Sequence, residues 1–173
     1  MKRLISTIAV TSCLLSGFPA AISLAQSLPG FTLFGGVNSE NQLPFRLDFG
    51  GKTDMFDRYH LRIPAKKMKL AVAQFNVTYP KYYQGKFDTK SIEVRVKGKK
   101  VPIQEAKWDK ANHVVALDLR EPAPADTPVE LVFSNVRNPT YGGTFYFNCE
   151  ILSPGDVPLQ RYLGTWILSI GRR

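Results

Sequence analysis

The sequence predicts an all-β fold: an antiparallel two-sheet sandwich of the immunoglobulin type, with about eight strands. Three observations carry this expectation. Apolar residues recur with period two in short runs rich in β-branched and aromatic side chains. Gly, Pro and Asn separate those runs at turn spacing. No stretch has the apolar periodicity of a helix of three turns, and strands joined without intervening helices form antiparallel sheets rather than βαβ units. The composition agrees, because 173 residues with 44% apolar and 21% charged side chains exclude disordered, collagen-like and multi-pass membrane classes.

Residues 1–25 read as a secretory signal peptide. Lys2 and Arg3 precede an apolar run from Leu4 to Leu15, Gly17 and Pro19 break it, and Ser23-Leu24-Ala25 forms an A-x-A-like cleavage site before Gln26. The run is too interrupted for a membrane anchor, which needs roughly 20 apolar residues. Val10-Thr11-Ser12-Cys13 has the order of a lipoprotein processing site, yet Leu14, Leu15 and Phe18 follow it where a lipoprotein has a polar tether. Cleavage leaves no transmembrane span and one cysteine, Cys149, so no internal disulfide forms in the oxidising periplasmic or extracellular compartment that the signal implies.

Residues 26–57 form an irregular lead with Gly30, Gly35-Gly36 and Gly50-Gly51. Its Phe31, Leu33, Phe34, Leu43, Phe45, Leu47 and Phe49 are expected to pack on the sandwich. Residues 58–173 supply the sandwich itself, with strands expected at Tyr59 to Ile63, Lys69 to Thr78, Ile92 to Lys97, Lys100 to Gln104, His113 to Leu119, Val129 to Phe133, Thr144 to Leu152 and Leu163 to Ile170. The Arg95 region reads as a hairpin with Gly98-Lys99 at its tip, Val96 facing Val101 and Val94 facing Ile103. Pro102 lacks a ladder donor, which places its strand at a sheet edge. Alternation puts Phe145, Phe147, Cys149 and Ile151 inside, and Tyr59, Leu61 and Ile63 inside with His60 on the solvent side.

Catalysis has no motif to rest on. There is no G-x-S-x-G, H-E-x-x-H, Walker or G-x-G-x-x-G pattern, and a nucleophile needs a base within reach. A small metal carrier or hydrolase would have to use His60 or His113, which read as surface residues. These two, Met55, Met68 and Cys149 lack ligand spacing, and Asp48, Asp54 and Asp57 do not match a calcium loop. No metal or other cofactor is expected. Asn76-Val77-Thr78 is a formal glycosylation sequon.

Charge is the stronger signal. The net charge is +9, or +7 once Lys2 and Arg3 are lost, and Arg58 to Lys110 alone carries 14 Lys and Arg against four acids. Lys66, Lys67, Lys69, Lys81, Tyr82, Tyr83, Lys86, Arg95, Lys97, Lys99 and Lys100 interleave cations with rings, a composition that attracts polyanions. Outside the cytoplasm the expected partner is an anionic envelope polymer or an acidic protein surface rather than nucleic acid. The plainer reading is that the lysines guard sheet edges and keep the domain soluble while the tyrosines cap the core beside Pro80. A third possibility is a structural subunit that assembles through the edge near Pro102.

His60-Leu61-Arg62-Ile63-Pro64, Val77-Thr78-Tyr79-Pro80, Phe87-Asp88-Thr89-Lys90-Ser91-Ile92, Asn135-Val136-Arg137-Asn138-Pro139, Gly143-Thr144-Phe145-Tyr146-Phe147 and Tyr162-Leu163-Gly164-Thr165-Trp166 follow one another in an ordered set. In these segments, spread from Tyr59 to Arg172, the chain resembles an exported cyanobacterial family designated a domain of unknown function. The resemblance implies export and is consistent with a β-sandwich; it carries no catalytic or binding residues.

Overall fold

A computed structural model describes residues 36–155 and 159–171. The signal segment, Cys13, Phe31, Leu33 and Phe34 lie outside the described residues. Ten strands form two antiparallel sheets: β1 Phe45–Leu47, β2 Phe56–Ile63, β3 Val72–Thr78, β4 Ile92–Val96, β5 Lys99–Val101, β6 Ile103–Asp109, β7 Val114–Ala123, β8 Val129–Arg137, β9 Gly143–Leu152 and β10 Gln160–Ile170. The first sheet runs in the order β1-β2-β8-β4-β5 and the second β10-β9-β3-β7-β6. The immunoglobulin-like sandwich is as expected, with ten strands where eight were counted. The extra two are β1, a three-residue strand inside the lead, and the division of the Lys100 to Gln104 run into β5 and β6.

That division falls at Pro102. β5 pairs with β4 in the first sheet, while β6 pairs with β7 in the second. A residue without a donor N–H sits where the ladder must stop, so the strand bends there and changes sheets. Both flanking strands are sheet edges. Val94 therefore faces Val101, not Ile103. The hairpin tip is also displaced by one residue from expectation: Lys97 and Gly98 occupy it with φ of 50° and 77°, both in the left-handed region as a type I′ turn requires. Arg95 then faces Lys100, and both donate to the Glu93 carboxylate at 2.9 and 3.0 Å.

The opposite flank is closed by the lead. Leu43 is buried, its N–H donates to the Thr165 carbonyl of β10 at 2.9 Å, and β1 follows at once beside β2. The chain thus crosses from one sheet edge to the other on both flanks. The close approach needs Gly164, where a Cβ would stand 2.6 Å from the Asn41 carbonyl oxygen. Phe49, expected to pack, instead projects with 60% of its surface exposed, because Gly50 and Gly51 turn the chain outward in the left-handed region.

The core lies between the sheets. Tyr59, Leu61 and Ile63 of β2 and Leu131 and Phe133 of β8 meet Phe75, Phe147, Ile151, Trp166 and Leu168 of the other layer, the inward parity that alternation predicts. The Trp166 indole N–H donates to the Arg62 carbonyl at 3.0 Å, satisfying a polar atom that burial would otherwise penalise. Among the described residues no helix is long and apolar enough to cross a membrane.

Candidate functional site

Successive strands carry the chain back and forth between two ends, and that traffic decides where the candidate residues lie. Ile63, Val129 and Val96 share one row of the first sheet. The segments beyond them bring Lys66, Lys67, Lys69 and Lys97 to one end, with Lys99 and Lys100 at the start of β5. Neighbouring strands stand about 4.8 Å apart, so these cations lie within reach of one extended ligand. The Lys97 N–H donates to the Pro128 carbonyl, and the Asp126 N–H to the Met68 carbonyl, which ties the three loops together. Lys69 lies 3.8 Å from Asp126, Lys67 donates to Asn41 and Lys100 to Glu93. Among the described residues Lys66, Lys67, Lys97 and Lys99 have no acidic partner within ion-pair distance.

β3 carries the remaining candidates away. Lys81, Tyr82 and Lys86 sit at the opposite end, and Arg95 lies on the outer face of the first sheet, between Glu93 and Glu130. Tyr83 is buried. Its ring packs edge-on to Phe147 at 4.9 Å, its hydroxyl meets Tyr59 at 3.1 Å, and burial pushes its pKa up, keeping the phenol protonated. It caps the core and cannot meet a partner. The eleven residues therefore do not form one surface.

The outer face of the first sheet holds a dense charge network. His60 is on the solvent side of β2, as parity predicts, yet it is buried rather than a surface residue. Its Nε2 lies 3.1 Å from Asp48 and its Nδ1 3.3 Å from Glu130. Arg46, Arg58 and Arg62 reach the same two carboxylates. Partial burial works against ionisation of Asp48 and Glu130, but the His60 and arginine partners outweigh it and hold both below the usual carboxylate range. The two acids bracket the ring from opposite sides, so the three groups do not converge on a point. Among the described residues no group of three His, Cys, Asp or Glu side chains could hold a metal ion. His113 occupies a left-handed turn with its ring edge-on to Tyr79 at 5.5 Å. Burial pushes the Cys149 thiol up, away from the reactive thiolate.

The far end has a character that the sequence reading missed. Three loops meet there: residues 48–55 between β1 and β2, 79–91 between β3 and β4, and 138–142 between β8 and β9. Phe49, Met55, Tyr82 and Tyr141 on these loops, with Phe56 at the start of β2, are between 55% and 78% exposed. Five of the eight exposed large apolar side chains among the described residues are thus gathered at one end. Two clefts of about 570 and 460 Å³ adjoin one another across Gln84, the first beside Phe56 and Arg137, the second between Tyr82 and Tyr141.

These loops are held from below. Buried Asp57 accepts the N–H groups of Phe49, Gly51 and Arg58 at 2.7 to 2.9 Å. Buried Asn138 accepts from the Tyr59 hydroxyl, donates its side chain to the Lys52 carbonyl at 2.8 Å and its N–H to the Met55 carbonyl at 2.9 Å. Arg137 lies over the Phe56 ring and pairs with Asp54 at 2.9 Å. Asp88 accepts from Ser91, Asn135 and the Lys90 N–H. The Gly50-Gly51 and Asn138-to-Gly143 turns, each flanked by aromatics, were the available sequence signal.

A family model described as "Protein of unknown function (DUF2808)" matches residues 31–170. No curated protein matches the chain. Similar solved structures include BslA, described as a bacterial hydrophobin, at 15% identity and a TM-score of 0.49, covering 76% of this chain and 98% of that one. Another is the collagen-binding domain from a Staphylococcus aureus adhesin, at 9% identity and TM-score 0.42, covering 74% and 95%. A third is an uncharacterized Nocardia farcinica protein with an immunoglobulin-like fold, at 12% identity and TM-score 0.40, covering 75% and 98%. At such identities the likeness is one of fold alone.

Proposed function

Because the chain belongs to the DUF2808 family, whose description assigns no activity, we propose a function from its own surface: a non-enzymatic binding module of the cell envelope, exported by the segment 1–25, that docks an anionic polymer or acidic protein surface through one lysine-rich end. The observation that carries this reading is the convergence of Lys66, Lys67, Lys69, Lys97, Lys99 and Lys100 from the 64–71 segment and the β4–β5 hairpin, both tied to the 124–128 loop, four of them (Lys66, Lys67, Lys97 and Lys99) without an acidic partner among the described residues. Unpaired cations focused on one end attract polyanions and lose that attraction as salt rises. A hydrolase or metal carrier at His60 or His113 is less well supported, because His60 is enclosed between Asp48 and Glu130 and His113 faces Tyr79. Edge assembly near Pro102 meets charge on both flanking edges, Lys99 and Lys100 on the three-residue β5 and the exposed Glu105 and Lys107 on β6, and charged edges discourage pairing.

The test is retention on an immobilised acidic polysaccharide across a salt gradient. Lys66→Glu, Lys97→Glu and Lys99→Glu together are expected to abolish retention, while Lys81→Glu with Lys86→Glu should leave most of it. Equal retention of the first variant and the parent would sink the reading.

A further inference from the structure

Nothing in the lysine end explains why rings are held out at the other. Exposed apolar side chains scattered singly are ordinary, whereas a cluster of them marks an interaction site. Here the cluster is built. Asp57 and Asn138, both buried, fix the loop backbone that carries Phe49 and Met55, which holds these side chains off the core. Cations share this end with the rings: Lys52, Lys81, Lys86 and Lys90 are exposed there.

The chemistry left over at this end decides the partner. The polar groups between the rings already satisfy one another, Arg137 with Asp54, Asn135 with Asp88, and Asp88 with Ser91. A sugar ligand needs vacant donors and acceptors beside its aromatic platform, and few are offered. Besides the Gln84 amide and the Thr140 and Tyr141 hydroxyls, what remains without a hydrogen-bond partner among the described residues is apolar surface and ammonium groups. That combination matches a lipid surface, where aromatic rings settle at the headgroup level and lysines meet anionic headgroups. We infer that the Phe49, Met55, Phe56, Tyr82 and Tyr141 end inserts shallowly into the surface of a bilayer carrying anionic lipid, with Lys52, Lys81, Lys86 and Lys90 at the headgroups. This role is independent of the lysine end.

The experiment is co-sedimentation with vesicles of phosphatidylcholine containing about 30% phosphatidylglycerol, at low salt and at about 0.5 M salt. Phe49→Ser, Phe56→Ser and Tyr141→Ser together are expected to lower partitioning about tenfold or more at both salts. Lys81→Glu, Lys86→Glu and Lys90→Glu together should lower it at low salt only. All proteins carry the same N-terminus, so the difference reports this end, and circular dichroism matching the parent shows the variants folded. Lys66→Glu, Lys97→Glu and Lys99→Glu should leave partitioning unchanged, which separates failure here from failure of the polymer reading. Partitioning that survives loss of the three rings overturns the inference. So does a ring-dependent dimer in light scattering without vesicle binding, which would make a second copy the occupant.

Discussion

At the residue scale, the most consequential group that sequence parity misjudged is His60. Alternation placed it on the correct side of β2, but could not show that Asp48, 12 residues earlier, and Glu130, 70 residues later, would close over it. Burial on an outer face comes from long side chains crossing neighbouring strands, a tertiary fact with no local signature. The same network yields a pH prediction. Asp48, Glu130 and Glu93 ionise more readily folded than in an ordinary exposed setting; for Glu93 the cause is its hydrogen bonds from Lys100 and Arg95. Their folded values lie below the unfolded ones, so the unfolded chain takes up protons first and the stabilisation is lost as pH falls through the carboxylate range. Thermal unfolding followed from neutral pH downward should show this fall. Asp48→Asn with Glu130→Gln should be less stable at neutral pH and decline less steeply in acid; an unchanged slope would refute the assignment.

At the scale of elements, the strands were legible and their junctions were not. Phe145, Phe147, Cys149 and Ile151 point inward as alternation dictates, because a nine- or ten-residue strand repeats its message several times. Phe45–Leu47 offers only one alternation, too little to distinguish from a lead. The Lys97-Gly98 tip requires a lysine at φ 50°, which favours no one reading of the turn until Glu93 bridges Arg95 and Lys100. The candidate surface divides for the same reason: the lysines are visible in the sequence as charge, but β3 separates Lys69 from Lys81 by the length of a strand. The closure of β10 by the lead gives a direct test. Gly164→Ala would place a methyl 2.7 Å from Leu43 Cγ as well as against Asn41, forcing the lead off the edge. We expect a loss of about 1 to 3 kcal/mol in urea unfolding, with faster hydrogen exchange at the Leu43 N–H. An unaltered exchange rate would show that the lead does not depend on this contact.

At the scale of the whole molecule, the two ends differ in chemistry while both flanks are sealed, by residues 41–47 on one side and by the Pro102 crossing on the other. On the roles proposed above, the ends act separately. The protein should therefore carry a fluorescent acidic polysaccharide onto anionic vesicles that do not bind the polymer themselves. Either the Lys66, Lys97 and Lys99 replacements or the Phe49, Phe56 and Tyr141 replacements should abolish this recruitment. Recruitment that needs only one end would contradict a two-ended role.

The sheet switch at Pro102 has a mechanical consequence. With the chain laced across both flanks, a load applied between the ends runs along the strands rather than prying the layers apart, and β9, at ten residues, sets a rise of about 33 Å. A polymer held at one end would ride about 3 nm above whatever the other end grips, at a standoff fixed by the backbone rather than by any flexible tether.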